Sequence, residues 1–448
     1  MDERPHSEDA RKLIHIGFGV CAFLLRDLPW WGAALLALAA LVFNLFVMPR
    51  VGRAIYRPAD RLRPFAQGVV FYPLAVLLLV LVFPHRPDIA AAAWGILAAG
   101  DGMSCMLGRR FGRRRIPWNR EKSICGSLAL FVCGGAAGAV LAWWCRPALS
   151  IAPSLWFSIG APFVAAFVAA LVETIPIRLD DNLSVPGSAA AVLWALSQVD
   201  AARVEVLAPA AAMRLPIAFA VNALVAWVAY RARTVTRAGA VCGIAIGTTI
   251  AVAVSWQGWL LLGSTFLASA VTSRMGLQRK TLLGIAEDRG GRRGAANAIA
   301  NTGFAAGAAL LSQLSPSTAP WLIAFTAALA AGGSDTVASE IGKAWGTRTF
   351  LVTSMAEVRP GTSGGLSVEG TVAGLAAAVL IAAFAVVLGL IVPRALLAVV
   401  IGATLGSIAE SALGATLEAK GILNNDTLNF LNTAIAAAIA VAFASVWL

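Results

Sequence analysis

Long apolar segments separated by short polar loops recur along the whole chain. This pattern predicts about fifteen membrane helices, with approximate bounds 12–25, 30–48, 66–83, 88–108, 124–145, 153–176, 187–199, 210–230, 238–254, 256–273, 294–313, 319–341, 366–391, 394–418 and 428–448. A helix needs roughly 20 apolar residues to cross ~30 Å of hydrocarbon, so the first and seventh segments are short for a full crossing. The pattern predicts an all-α, polytopic membrane protein.

Composition and charge support this class. Hydrophobic residues make up 59% of the chain and charged residues 13%, whereas a soluble domain carries about 25% charged residues. The net charge of +12 does not indicate nucleic-acid binding, because the arginines and lysines cluster in short loops such as 49–64, 109–122 and 274–293. The positive-inside rule places these loops and the N-terminus in the cytoplasm. We therefore expect a protein of a bacterial-type cytoplasmic membrane.

A set of short polar motifs appears twice, about 235 residues apart along the chain. Asp101 is followed by a Gly-Arg pair at 108–109, and Asp335 is followed at the same interval by a Gly-Lys pair at 342–343. Each copy continues with a hydroxyl-rich loop, a glutamate and an Asp/Asn pair. We interpret this as a tandem duplication: two parallel seven-helix modules, 1–208 and 236–448, joined by a linking helix and loop over 209–235.

Aspartates in apolar segments are the candidate centres of the two modules. A carboxylate inside a membrane helix is costly unless function uses it. Asp101 and Asp335 could hold Mg²⁺ that bridges nucleotide phosphates, or could accept a proton from a substrate hydroxyl. Further residues near helix ends complete the acidic sets: we predict catalytic roles for Glu173 and Glu410, and metal-binding roles for Asp181, Asn182, Glu340, Asn425 and Asp426.

Basic and hydroxyl groups beside these acids are candidate phosphate ligands. In the first module, Arg109, Lys122, Ser123 and Ser127 flank a helix start, whose free N–H groups favour anions. The two serines could instead cap that helix. In the second module, the segment RPGTSGG is typical of an anion nest and does not match a Walker A loop. Its candidate ligands, with Lys343 of the preceding helix, are Arg359, Thr362, Ser363, Gly364 and Gly365.

These motifs resemble those of two families of membrane kinases. The first half resembles the phytol kinase and dolichol kinase family through RKLIHIGFG (11–19), GDGMSCMLGRRFG (100–112), KSICGS (122–127) and VETIPIRLDDNLSVP (172–186). The second half resembles the phytyl-phosphate kinase family through GSDTVASEIGKAWG (333–346), RPGTSGGLSVEGT (359–371), ESALGATLE (410–418) and NNDTLNFLN (424–432). Cys125 stands where dolichol kinases and cytidylyltransferases often carry glutamate, which favours the phytol branch.

The resemblance implies a bifunctional isoprenoid kinase that uses Mg²⁺ and CTP or another nucleoside triphosphate. The N-terminal module would phosphorylate a prenyl alcohol, and the C-terminal module would convert the resulting prenyl monophosphate into a diphosphate. Two alternatives stay open. One is a prenyl-lipid transporter or flippase, because parallel repeats with intramembrane carboxylates also occur in transporters. The other is a cytidylyltransferase that forms a CDP-lipid.

Overall fold

The computed structural model describes residues 8–51, 66–285 and 292–447 of the chain. It divides into two compact units, Met1–Ser197 and Gln198–Leu448. Within the described ranges, ten helices are long and apolar enough to cross a membrane, and strands are few and short. The prediction of an all-α, polytopic membrane protein is confirmed. Most of the basic loop 49–64, and residues 286–291 of the loop 274–293, lie outside the described residues.

The first unit is built around one central helix. Its elements are α1 (Glu8–Phe18), a 3₁₀-helix (Gly19–Arg26), α2 (Trp30–Val51), α3 (Gln67–Val82), α4 (Pro87–Phe111), β1 (Arg115–Ile116), β2 (Asn119–Ser123), α5 (Ile124–Ala148), α6 (Leu155–Glu173) and α7 (Asp181–Ser197). Helix α4 is more deeply buried than α2, α5 or α6. A run of alanines, 90–93, is almost completely covered, because small side chains let neighbouring helices approach closely.

The second unit has a similar plan with one additional helix at its start. Its elements are α8 (Ala201–Arg231), α9 (Arg237–Arg274), α10 (Leu277–Leu282), α11 (Ala295–Leu314), α12 (Thr318–Trp345), β3 (Thr349–Leu351), β4 (Glu357–Val358), β5 (Gly365–Ser367), α13 (Val368–Val387), α14 (Ala395–Glu418) and α15 (Asn425–Trp447). Helix α12 is its central helix, as α4 is in the first unit. Strand β3 lies between β4 and β5 in an antiparallel sheet.

Helix α9 folds back on itself at Ser255. This residue has φ 62° and ψ −161°, which interrupts the helical backbone. Gly239 and Ser269 line the same cavity, although 30 residues of straight helix would separate them by about 45 Å. The two limbs, 237–254 and 256–274, therefore run antiparallel, and each is about 27 Å long. They correspond to the segments 238–254 and 256–273 that the hydropathy pattern predicts as separate helices.

In both units a short strand leads directly into a helix whose first turn is capped by a serine. Ser123 at the end of β2 accepts a hydrogen bond from the N–H of Gly126, and Ser367 at the end of β5 accepts one from the N–H of Gly370, each at 3.1 Å. A Ser N-cap satisfies one of the free donors at a helix start. The two units therefore share the same corner between a central helix and the helix that follows it.

A glycine of the central helix makes this corner possible. A Cβ on Gly108 of α4 would lie 3.1 Å from Ser123 Oγ, and a Cβ on Gly342 of α12 would lie 2.8 Å from Ser367 Oγ. Because a side chain at either position would push against the capping hydroxyl, the absence of a Cβ allows the capped helix start to pack on the central helix.

Candidate functional site

Three carboxylates meet inside the first unit. Asp101 lies in α4, Glu173 is the last residue of α6, and Asp181 is the first residue of α7. One oxygen from each of the three lies within 4.8 Å of the others. Asp101 and Glu173 are buried, at 3% and 5% exposed. Such a group is stable in an apolar bundle only when cations or hydrogen bonds compensate the charges.

Two lysines supply most of that compensation. Lys12 of α1 donates to Asp101 Oδ2 at 2.6 Å, and Lys122 of β2 donates to Glu173 Oε1 and Asp181 Oδ2, both at 2.8 Å. Burial alone would lower the pKa of the Lys122 ammonium, but the two carboxylates outweigh it and raise that pKa above its usual value. If all these groups are ionised, three carboxylates and two ammonium groups leave a net charge of about −1. We call these five residues the acid–lysine cluster.

Neighbouring side chains hold the acid–lysine cluster in place. Ser104, one turn after Asp101 on α4, donates to Glu173 Oε1 at 3.2 Å. His15 Nε2 lies 3.3 Å from Asp101 Oδ2, and its ring packs edge-on against Tyr72 with centroids 4.5 Å apart. Trp94 Nε1 in turn donates to the Tyr72 hydroxyl at 2.8 Å. The Asp101 carboxylate therefore has a fixed orientation within a network of contacting polar and aromatic side chains.

The remaining predicted residues of the first unit have different surroundings. Ser123 caps α5, as described above. Ser127 Oγ and Asn182 Oδ1 are buried and have no hydrogen-bond partner. Arg109 is exposed, and its guanidinium lies 3.4 Å from Asp9. Of the predicted phosphate ligands in this unit, Lys122 alone is a member of the acid–lysine cluster.

The second unit contains a polar cavity of about 250 Å³, here called the C-terminal pocket. It brings together residues from α12, from the loop after β4, from α14 and from the start of α15. Eight residues that the sequence predicts as functional line it: Asp335, Lys343, Thr362, Ser363, Gly364, Gly365, Glu410 and Asn425.

A pair of carboxyl groups forms the inner wall of the C-terminal pocket. The side chains of Asp335 and Glu410 lie close enough for each to affect the charge of the other. Asn432 of α15 donates to Glu410 Oε2 at 2.7 Å. Because two neighbouring carboxylates repel each other, the pair favours a state with one shared proton. Within the described residues, no further acidic, histidine or cysteine side chain joins this pair in the way that Asp181 joins Asp101 and Glu173.

The glycine-rich loop is held against α14 by close backbone packing. Gly361 and Gly364 have φ of +84° and +74°, a region that side chains disfavour. A Cβ on Gly364 would lie 2.4 Å from the carbonyl oxygen of Ser411 and 2.5 Å from the amide nitrogen of Ala415. Ser363 Oγ donates a hydrogen bond to the Glu418 carboxylate. The loop therefore forms one wall of the C-terminal pocket.

Three other predicted residues of the second unit contribute differently. Glu340 is buried between two lysines, with Oε2 2.6 Å from Lys280 Nζ and Oε1 3.3 Å from Lys343 Nζ. Arg359 is exposed, and its carbonyl accepts a hydrogen bond from the Thr362 hydroxyl. Asp426 is half-buried in the first turn of α15 and does not line the C-terminal pocket.

Sequence reasoning missed several partners of the predicted acids. Lys12, Ser104, Lys280 and Asn432 each contact a predicted acidic residue directly. A signal existed for Lys12, because it stands directly before the apolar part of α1, in the motif RKLIHIGFG. The other three side chains lie in helices whose neighbours are known only from the packing.

The helices and the buried polar sites define the class of this molecule: a polytopic integral membrane protein with charged sites inside its helical bundles. Residues 220–437 match the family model described as integral membrane protein DUF92. The chain is also 37% identical over 201 residues to the uncharacterized membrane protein sll0875 of Synechocystis sp., and this match covers 44% of the chain and 77% of the relative. The chain belongs to this DUF92 family of integral membrane proteins.

Two plant relatives carry more descriptive names. Protein VTE6, chloroplastic, of Arabidopsis thaliana is 32% identical over 216 residues, which cover 45% of this chain and 63% of the relative. Probable phytol kinase 3, chloroplastic, of Glycine max is 30% identical over 190 residues, which cover 39% of this chain and 59% of the relative. The chain thus spans about three fifths of these two plant proteins. No solved structure matches the chain.

Proposed function

We propose that the chain is a bifunctional membrane kinase for prenyl lipids. The first unit would phosphorylate a prenyl alcohol, and the second unit would phosphorylate the prenyl monophosphate, with CTP or another nucleoside triphosphate as donor. The observation that carries the proposal is the acid–lysine cluster. Phosphoryl transfer requires groups that hold a metal ion and groups that neutralise phosphate charge, and the carboxylates and lysines of the cluster can supply both. The names of the phytol kinase relatives point to the same substrate class.

The residues of the first unit fit a magnesium ion. Mg²⁺ binds oxygen ligands at about 2.1 Å, so its ligand oxygens lie about 3 Å apart, or about 4 Å when they are opposite. The oxygens of Asp101, Glu173 and Asp181, within 4.8 Å of one another, need only small side-chain rotations to reach these distances. The net negative charge of the cluster favours a dication. When bound, Mg²⁺ would neutralise charge on the donor phosphates.

The lysines and the acids of this cluster would then have separate tasks. Lys12 and Lys122 supply positive charge where phosphate oxygens enter, and charge neutralisation is the main requirement of phosphoryl transfer. A carboxylate oxygen of Asp101 is available to accept the proton of the substrate hydroxyl or to ligate the metal. The ends of apolar helices bring a hydroxyl in the lipid layer within reach of a water-soluble donor.

The second unit offers a polar cavity suited to a phosphorylated acceptor. Lys343 and the glycine-rich loop line the C-terminal pocket and can bind phosphate oxygens. Asp335 and Glu410 line the same pocket as a carboxyl pair and can hold a metal ion or a proton. We infer that the two units arose by duplication, because both place a Ser-capped helix start against a glycine of the central helix.

A test with two radiolabels separates the proposal from its rivals. The purified protein in nanodiscs is incubated with γ-³²P-CTP or α-³²P-CTP and with phytol, geranylgeraniol or their monophosphates. The expected result is transfer of the γ-label alone, with alcohol converted to monophosphate and then to diphosphate. Transfer of the α-label would indicate a cytidylyltransferase. Movement of prenyl lipid across vesicles without nucleotide consumption would indicate a transporter.

Variants then assign the two steps. Asp101→Asn is expected to block alcohol phosphorylation and to leave conversion of supplied monophosphate intact. Asp335→Asn is expected to accumulate monophosphate. Asp27→Asn, at an exposed position of the first unit, is the matched control and should do neither. Failure of both site variants at the same step would contradict the division of labour.

A further inference from the structure

A second cavity in the C-terminal unit differs in character from the C-terminal pocket. It has a volume of about 170 Å³ and lies between α8, both limbs of α9, the start of α11 and the middle of α12. Alanine, valine, leucine, isoleucine and glycine form most of its wall. The wall also contains polar residues. Trp259 Nε1 donates to Asn222 Oδ1 at 3.0 Å, and Asn301 Nδ2 donates to the carbonyl oxygen of Asn297 at 2.9 Å. Asn297 Oδ1 is buried and has no hydrogen-bond partner, and Arg293 lies in the wall near the start of α11.

Glycines shape this cavity and open it to the outside. Gly243 and Gly263, one on each limb of α9, are exposed, and no other group lies within 4 Å of where their Cβ atoms would be. Gly333 of α12 has the opposite role, since a Cβ there would lie 2.8 Å from Ile381 Cδ1 and 3.4 Å from Thr265 Cγ2. The cavity is therefore closed at Gly333, where α12 packs against Ile381 of α13, and open between the two limbs of α9. In a bilayer, that opening faces hydrocarbon and not water.

One face of α12 connects the cavity to the C-terminal pocket. Gly332 lines the apolar cavity, whereas Asp335 and Ser339 line the C-terminal pocket. The spacing i, i+3, i+7 places these three residues on the same stripe of the helix. The rise from Gly332 to Asp335 is about 4.5 Å. A ligand with a charged head and an apolar tail could thus follow one helix face from the pocket into the cavity.

We propose that this apolar cavity holds the isoprenoid chain of the prenyl monophosphate while its phosphate lies in the C-terminal pocket. This inference rests on the proposed function of the second unit and adds to it the chain-binding site. The chain would enter sideways from the bilayer between the limbs of α9, at Gly243 and Gly263.

The first experiment narrows the cavity without disturbing the packing around it. Gly263→Leu and Gly243→Leu place side chains into open space, and leucine is a better helix former than glycine. We expect KM for geranylgeranyl phosphate to rise by about 10-fold, and KM for the shorter geranyl phosphate to change by less than about 2-fold. Gly307→Leu is the matched control, since Gly307 of α11 is also exposed, has no neighbour within 4 Å and does not line the cavity. Identical chain-length profiles in all variants would overturn the inference.

The second experiment measures binding without catalysis. Geranylgeranyl phosphate carrying a diazirine on its chain is photolysed with the full-length protein in nanodiscs, and the labelled peptides are mapped. Label is expected in 239–269, reduced by excess unlabelled geranylgeranyl phosphate and by Gly263→Leu but not by Gly307→Leu. Label confined to other helices would contradict the chain site, even if the protein is a kinase. Label at 239–269 in a protein that phosphorylates nothing would keep the chain site and reject the kinase function.

Discussion

The ammonium of Lys12 lies 2.6 Å from the carboxylate of Asp101, in a buried contact between residues 89 positions apart. Both side chains are less than a tenth exposed. Removal of one partner from a buried ion pair leaves the other charge without compensation, which costs about 3–5 kcal/mol. The pair therefore links the fold of the first unit to the acid–lysine cluster.

Replacement of Lys12 tests this link. Lys12→Met is expected to lower the thermal unfolding temperature and to reduce alcohol phosphorylation by more than about 100-fold, because Asp101 loses its counter-charge. Conversion of supplied monophosphate should stay within about 2-fold of wild type. The double variant Lys12→Met/Asp101→Asn should regain stability but not alcohol phosphorylation. Wild-type stability in the single variant would show that the pair is not needed in the folded protein.

A substitution in the carboxyl pair of the second unit should reduce activity without reducing stability. Glu410→Gln can still accept from Asn432 and donate to Asp335, so the free energy of unfolding should change by less than about 1 kcal/mol. Monophosphate conversion should nevertheless fall by more than about 100-fold, because a neutral amide cannot act as a base and lacks the negative charge with which a carboxylate binds a metal ion. Product analysis by thin-layer chromatography and unfolding by differential scanning fluorimetry measure the two effects. A large loss of stability with retained activity would contradict a functional role for Glu410.

The raised pKa of Lys122 predicts how its contribution depends on pH. A lysine whose folded-state pKa exceeds the unfolded value of about 10.4 stabilises the fold fully below that value, and loses this effect as pH rises through the folded-state pKa. The difference in unfolding temperature between wild type and Lys122→Met should thus be constant from pH 7 to about pH 10 and narrow only above it. Lys122→Arg, which keeps the charge, is the control. If this difference in unfolding temperature already decreased near pH 8, the carboxylates would not be stabilising the charged form of Lys122.

The two glycines that face the capping serines give a matched pair of variants. Gly342→Ala should displace the Ser367 hydroxyl and cost about 1 kcal/mol of capping, and Gly108→Ala should have a smaller effect, because its Cβ would lie further from Ser123 Oγ. Each variant should slow only the reaction of its own unit. Gly187→Ala, in α7 with no neighbour within 4 Å, controls for the helix propensity of alanine. Equal behaviour of all three variants would reject the steric account.

Both reactions should depend on Mg²⁺, but a variant in the first unit should change the Mg²⁺ requirement of the first reaction only. Chelation by EDTA is expected to stop both reactions, and added Mg²⁺ should restore them. In Asp181→Asn, the Mg²⁺ concentration for half-maximal alcohol phosphorylation should rise about 10- to 100-fold, because one anionic ligand is lost. The same titration with monophosphate as substrate should match wild type. Glu121→Gln, an exposed acid on the same strand as Lys122, should leave both titrations unchanged.

The hydropathy pattern was sufficient for several helices of the second unit. The segments 319–341, 394–418 and 428–448 agree with α12, α14 and α15 to within a few residues at each end. The pattern also separates the limbs of α9, because polar Ser255 interrupts the apolar run. Long helices with strong apolar character are recognisable in this way since the bilayer imposes their length.

The hydropathy pattern and the motif spacing do not predict which side chains contact one another in the two sites. Sequence spacing locates Asp101 and Asp335 but cannot show that Lys12 pairs with the first, because this pairing depends on how α1 packs against α4. It also cannot show which serine caps the helix after the loop, namely Ser123 in the first unit and Ser367, rather than Ser363, in the second. The loops before these serines differ in length, so motif alignment alone does not match them.

The reversal at Ser255 has a consequence for membrane topology. A straight 38-residue helix, about 57 Å long, would count as one crossing and would move the chain to the opposite side of the bilayer. With the reversal, α9 crosses an even number of times, so a reporter inserted after Arg274 should lie on the same side as one inserted before Arg237. A single residue with positive φ thus decides on which side of the membrane every later loop of the second unit lies, including the glycine-rich loop that lines the C-terminal pocket.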